Sequence, residues 1–149
     1  MSGSGASDDV IVEHLSAISR RFRSELRQVC AGVSGTTTPV QREILGYVGR
    51  HPGIGIMGLA DLAGRDKAQM TRIISELEDL DLVIRERSDT DRRATRLRLS
   101  ESGEALFHLV LERRRGLAAA MLRSLQPDER DALRAMLVKM RAGLADAEQ

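Results

Sequence analysis

The chain has 149 residues, 42% of them hydrophobic, 30% charged and 2% aromatic, with a formal net charge of +1. This is enough for one packed core of Leu, Ile, Val, Met and Ala, small for an enzyme with a separate substrate domain, and poor in rings on which bases stack. A charge near zero neither favours nor excludes a polyanionic partner, because phosphate binding depends on where the cations lie.

Residues 1–7, MSGSGAS, are small and polar and lack the cationic-then-apolar order of a secretory signal, so they are expected to form a disordered tail outside the fold. Leu15, Ile18, Phe22, Leu26, Val29 and Val33 recur at the helical period, which predicts a long first helix within 8–35, broken by Gly32 and Gly35. Thr38-Pro39-Val40-Gln41 has the form of a helix start: a hydroxyl cap, a proline whose missing N–H does no harm, and Gln41 placed to close a capping box. Ile44, Tyr47 and Val48 continue that second helix, and His51-Pro52-Gly53 stops it. A short helix over Ile56 to Ala63 follows, with Leu59 and Leu62 inward and Gly64 as a left-handed turn residue.

Asp66 caps the next helix with Gln69 three positions on; Met70, Ile73, Ile74, Leu77 and Leu80 form its apolar stripe, and Lys67, Gln69, Thr71 and Arg72 its opposite face. Two helices separated by a tight turn make a helix-turn-helix pattern. After Leu80 the period changes to that of strands: Leu82–Arg87 and Ala94–Leu99 are joined by SDTDRR into a hairpin. Ser100 caps a long helix from Glu101 into the 120s, and Pro127-Asp128-Glu129 opens a last one carrying Leu133, Met136, Leu137, Met140 and Leu144. The expected fold is mainly α with a small β-hairpin.

A hairpin directly after a helix-turn-helix forms a wing. When the second helix enters a DNA major groove, arginines at the wing tip face phosphates or a narrow minor groove, where negative potential is concentrated. Arg92 and Arg93 suit that role, with Asp91 holding Arg93 in one rotamer through an ion pair. Arg85, Arg87, Arg96 and Arg98 flank the tip or line a solvated strand face. Apolar residues of the outer helices exceed what the wing domain can cover, so pairing of two copies across a two-fold axis is expected.

From Val12 to Leu144 the chain resembles the MarR family of winged helix-turn-helix regulators, most densely in TPVQREILGYVGRHPG, LADLAGRDKAQMTRIISELEDLDLVIRE and DRRATRLRLSESG. The resemblance implies a homodimer whose terminal helices intertwine while two winged domains read a pseudo-palindromic duplex; a repressor is expected, with an activator as the alternative, since that choice depends on where the operator lies relative to the promoter. It divides the chain into a tail (1–7), a dimerisation helix (8–35), a winged DNA-binding domain (36–100) and C-terminal dimerisation helices (101–146). It assigns Lys67, Ala68, Gln69, Thr71 and Arg72 to the recognition helix and Arg87, Asp91, Arg92, Arg93 and Arg96 to the wing. Leu15, Ile18, Phe22, Leu133, Met136, Leu137 and Met140 fall in the dimerisation helices. Gln69 is matched to adenine, and Arg72 to guanine or a phosphate. The chain departs from the family at Asp81, where glycine usually ends the recognition helix, and at Gly55, Gly58 and Asp66.

The resemblance also implies control by a small molecule, an oxidant or a metal. Cys30 cannot form an internal disulfide and lies near a helix C-terminus, which disfavours a thiolate, so it is expected to be a buried, inert thiol. His108 and Glu112 have metal-compatible spacing, with Glu25, Cys30 and His14 as distant co-ligands, but an ordinary surface contact is the expectation and no cofactor is assigned. That leaves an organic effector in an aliphatic pocket. No catalytic triad spacing, P-loop or dinucleotide fingerprint is present, so the chain is not expected to be an enzyme. The rival to a DNA-binding regulator is a winged-helix module used for protein contact. No apolar run approaches the ~20 residues that cross a bilayer, and a cytoplasmic setting is expected.

Overall fold

In the computed structural model, residues 3–31, 37–90 and 94–147 are described. The element order is α1 (Gly3–Ala31), α2 (Pro39–Arg50), α3 (Ile56–Ala63), α4 (Lys67–Asp79), β1 (Val83–Arg87), β2 (Thr95–Leu99), α5 (Glu101–Met121) and α6 (Pro127–Ala147). These form two compact units, Met1–Arg114 and Arg115–Gln149.

In the first unit, side chains of α2, α3, α4, both strands and the start of α5 converge on one core. Ile44, Leu45, Val48, Leu59, Met70, Ile74, Leu77 and Leu97 are almost wholly buried in it, and Tyr47, Ile54, Phe107 and Val110 pack at its edge. The strands pair antiparallel, Val83 opposite Leu99 and Arg87 opposite Thr95, so Val83, Leu97 and Leu99 share the inward face. β2 is held on its other side too. Leu97 bridges to Ile54, its N–H donating to the Ile54 carbonyl at 2.9 Å while the Gly53 N–H donates to the Leu97 carbonyl at 2.9 Å. At the far end of the hairpin the Ser88 N–H donates to the Ala94 carbonyl at 3.0 Å.

The expected punctuation is in place. Thr38 and Gln41 form the reciprocal capping box of α2. Ser100 caps α5, its hydroxyl accepting from the Gly103 N–H at 3.0 Å and donating to the Asp81 carbonyl. Gly64 and Asp81 both adopt left-handed φ, 61° and 57°. In each case two backbone bonds close the preceding helix: Arg65 N–H to Ala60 and Gly64 N–H to Asp61, then Leu82 N–H to Leu77 and Asp81 N–H to Glu78. Both are the Schellman pattern, and Asp81 holds without glycine the position that favours it.

Five sequence expectations need correction or fall outside the described residues. α1 is helical from Gly3, inside the stretch 1–7 expected as a tail, although Gly3 and Gly5 are weak helix formers. Leu62 is 46% exposed, since the buried arc of α3 is centred between Leu59 and Ala60 and Leu62 lies roughly 110° from it. Leu80 is 37% exposed because it follows the last helical residue, so it leaves the stripe that Met70 to Leu77 share. Gly32, Val33 and Gly35, the expected break after the first helix, lie outside the described residues, as do Asp91, Arg92 and Arg93.

In the second unit the end of α5 and α6 are joined by a turn over residues 122–126. Arg130 braces this turn, its Nε donating to the Leu125 carbonyl at 3.0 Å and a terminal nitrogen to that of Leu122 at 2.8 Å. None of the residues of α6 is buried, and Met136, Leu137, Val138, Met140 and Leu144 are exposed.

A Cβ on Gly103 would sit 2.0 Å from the Leu82 carbonyl oxygen, a backbone atom that cannot yield. Gly103→Ala is therefore expected to lower stability by at least the roughly 1–3 kcal/mol of an overpacked core. Asp81→Gly is expected to raise it by about 0.5–1 kcal/mol through relief of the left-handed backbone. Urea denaturation of the two variants checks both signs.

Candidate nucleic-acid interface

The turn between α3 and α4 is three residues, Gly64-Arg65-Asp66. Gly64 reverses the chain, a terminal nitrogen of Arg65 reaches back to Glu43 on α2 at 3.5 Å, and Asp66 receives the next helix, its carboxylate accepting from the Gln69 N–H at 2.8 Å. α4 then buries Met70, Ile73, Ile74 and Leu77, which fixes its rotation about its own axis. Lys67, Ala68, Gln69 and Arg72 are left exposed on the other side. Thr71 is half-buried, and its hydroxyl donates to the Lys67 carbonyl at 2.8 Å, so its donor is already in use within the helix. The five residues expected on the recognition edge thus share one helix, with four of them open to solvent.

The hairpin offers a second set of cations. Arg87 at the end of β1 and Arg96 on β2 are exposed and have no ion-pair partner among the described residues. Arg85 and Arg98 are engaged instead. Arg85 donates through Nε to Glu78 at 2.8 Å and through a terminal nitrogen to the Ser75 hydroxyl at 3.2 Å, joining β1 to α4. Arg98 pairs diagonally across the hairpin with Glu86, which stands opposite Arg96. The wing-tip residues Asp91, Arg92 and Arg93 lie outside the described residues.

One polar link has no counterpart in the sequence reading. The Gln41 amide, 8% exposed, donates from Nε2 to Glu76 Oε2 at 2.9 Å, while its Oε1 accepts from the Thr38 N–H at 3.0 Å. Glu76 Oε1 lies 3.7 Å from Arg72 Nε. The two glutamates that steady α4 are thus tied to α2 and to β1. The Gln41–Glu76 contact spans 35 positions and leaves no local pattern; Arg85–Glu78 bridges seven positions across a helix-to-strand turn, where opposite charges on adjacent elements are the available clue.

The candidate sensing groups are placed as follows. Cys30 is buried, as expected. His108 Nε2 pairs with Glu104 at 3.4 Å rather than with Glu112, and its ring meets Phe107 edge-on. Among the described residues no group of three His, Cys, Asp or Glu is spaced to hold a metal, and no helix is long and apolar enough to cross a membrane.

A helix-turn-helix whose second helix presents a polar edge, followed by a two-stranded hairpin packed on the same core, defines the winged-helix class. Residues 34–94 match the MarR family model. The fold extends beyond the matched segment. A MarR family protein from Bacillus stearothermophilus aligns over 95% of this chain and 98% of its own, at 20% identity and a TM-score of 0.83. Streptococcus pneumoniae FabT in complex with DNA aligns over 93% and 98%, at 17% identity and a TM-score of 0.82. A MarR family regulator from Listeria monocytogenes complexed with a 26mer DNA aligns over 91% and 89%, at 21% identity and a TM-score of 0.78. No curated protein sequence matches the chain. The fold is that of MarR transcriptional regulators.

Asp66→Ala is expected to cost about 1 kcal/mol of stability through loss of the α4 cap, and Asp66→Asn only a few tenths, since asparagine caps as well as aspartate. Denaturant midpoints compared at one pH check the pair.

Proposed function

We propose that the chain is a sequence-specific double-stranded DNA-binding transcriptional regulator. In this reading it acts in the cytoplasm as a homodimeric repressor on a pseudo-palindromic operator and is released by a small organic effector. The observation that carries the reading is α4 itself: Lys67, Ala68, Gln69 and Arg72 are exposed on a helix whose opposite side is locked in the core. Gln69 suits the paired donor and acceptor of adenine in the major groove, and Lys67 at the helix start suits a phosphate. Arg87 and Arg96, with Arg92 and Arg93 at the tip, supply the charge that holds the wing against the backbone. Two solved relatives of this fold are DNA complexes, which supports the same use here.

The homodimer is supported by apolar surface that a soluble monomer rarely displays. On α1, Val10, Ile11 and Ile18 are exposed and Leu15 and Phe22 half-buried; on α6, Met136, Leu137 and Met140 are exposed and Leu133 half-buried. A two-fold pair sets two α4 helices about 34 Å apart, or a multiple of it, and so calls for an operator with matching half-sites. Control by an organic effector is favoured over thiol oxidation by the burial of Cys30.

Footprinting on the promoter DNA next to the protein's own coding region, followed by titration of the protected duplex at two salt concentrations, tests the reading. A protected palindrome bound in preference to scrambled duplex is expected; equal affinity for both would leave the fold without this function. Gln69→Ala should relax the choice at one base position by about 1–3 kcal/mol. Arg96→Ala should weaken binding to every duplex and shrink the salt slope by about one unit. Light scattering should return twice the chain mass.

A further inference from the structure

The geometry points to Glu76 as a positioning residue that sets sequence choice by presenting the Arg72 guanidinium to a guanine. This inference rests on the reading of α4 as a DNA-recognition helix.

Four groups form a chain from backbone to solvent. The Thr38 N–H donates to Gln41 Oε1, the Gln41 Nε2 donates to Glu76 Oε2, and Glu76 Oε1 faces Arg72 Nε at 3.7 Å. The first link is fixed by the capping box of α2, and Gln41 is buried. Glu76 is therefore held from below by a rigid donor, which an ordinary pair of surface side chains one helical turn apart lacks. Its second oxygen is left to bias the rotamer of Arg72, whose side chain is 77% exposed.

Stability does not explain this carboxylate. An exposed pair one turn apart adds little, and it is screened by salt. On a surface that meets phosphates, a negative charge also weakens binding to every duplex alike. What the carboxylate supplies is direction. A free arginine loses much rotamer entropy on docking and settles on whichever acceptor is near, phosphate included. An arginine braced at Nε keeps its two terminal nitrogens as a fork, the arrangement that matches guanine O6 and N7. Glu76 thus lowers general affinity and raises discrimination at one base pair.

Glu76→Gln isolates the effect, because the new amide oxygen still accepts from Gln41 while the charge facing Arg72 is gone. The duplex located by footprinting is titrated by fluorescence anisotropy, beside its scrambled form and a set changed one base pair at a time. Wild type should prefer one guanine that Arg72→Ala ignores. E76Q should lose roughly five- to tenfold of its discrimination at that same position and bind scrambled duplex more tightly. In the Arg72→Ala background the Glu76→Gln change should leave discrimination unaltered, which a merely structural role would not produce. Replacing the guanine with 7-deazaguanine should weaken wild type more than E76Q. Glu76→Asp, which keeps the charge but withdraws it, should fall between the two. If wild type prefers the footprinted duplex and E76Q retains full discrimination at the Arg72 position, the inference is overturned and the regulator reading stands. If wild type shows no preference among duplexes, both fall.

Discussion

A helix reads a partner with one edge only if its other edge cannot turn. Met70, Ile73, Ile74 and Leu77 impose that condition on α4, each almost wholly buried against α2, α3 and the hairpin. Each buried side chain contributes about 1.5–3 kcal/mol, so rotating the helix by one residue exchanges several such terms for solvent exposure. The exposed positions follow from this by default. Lys67, Ala68, Gln69 and Arg72 face outward because the apolar set faces in, and the short turn through Gly64 and Asp66 leaves the helix start no other place to go.

Apolar packing fixes rotation but resists sliding less well, and the polar links act on that second freedom. Gln41 holds Glu76 from α2, and Arg85 on β1 holds Glu78 and Ser75. The helix is therefore pinned from two different elements. These contacts are half-exposed and add little to folding free energy. Their effect is geometric: they keep the exposed edge of α4 and the hairpin in one frame, so the cations on both belong to a single surface.

Most of the fold was legible because its signals are local. The capping box at Thr38 and Gln41, the Gly64 reversal, the Asp66 cap, the switch from helical to strand period after Leu80 and the Ser100 cap each depend on residues within a few positions of one another. The misreadings arose where spacing alone was taken to fix the buried side. Leu62 keeps the spacing of an inward residue but lies off the arc that Leu59 and Ala60 bury, and Leu80 keeps the stripe of a helix that has already stopped. At the candidate site, the exposed edge of α4 was legible from the same period, whereas the contacts that hold the helix were not. Charge alone does not reveal that Arg85 and Arg98 are engaged while Arg87 and Arg96 have no ion pair among the described residues, since all four stand in one basic run; the partners are Glu78 on α4 and, diagonally across the hairpin, Glu86.

The way the hairpin is closed has a consequence for how proteins of this build diversify. β2 is gripped on both sides, by β1 and by the Gly53-Ile54 segment, and the Ser88–Ala94 hydrogen bond seals the ladder at its far end. The register of the ladder is thus fixed before the chain reaches the connection between the strands. A change of length or chemistry beyond that pair leaves the hydrogen bonds of the ladder behind it in place, so the scaffold tolerates grafting there at small risk to folding.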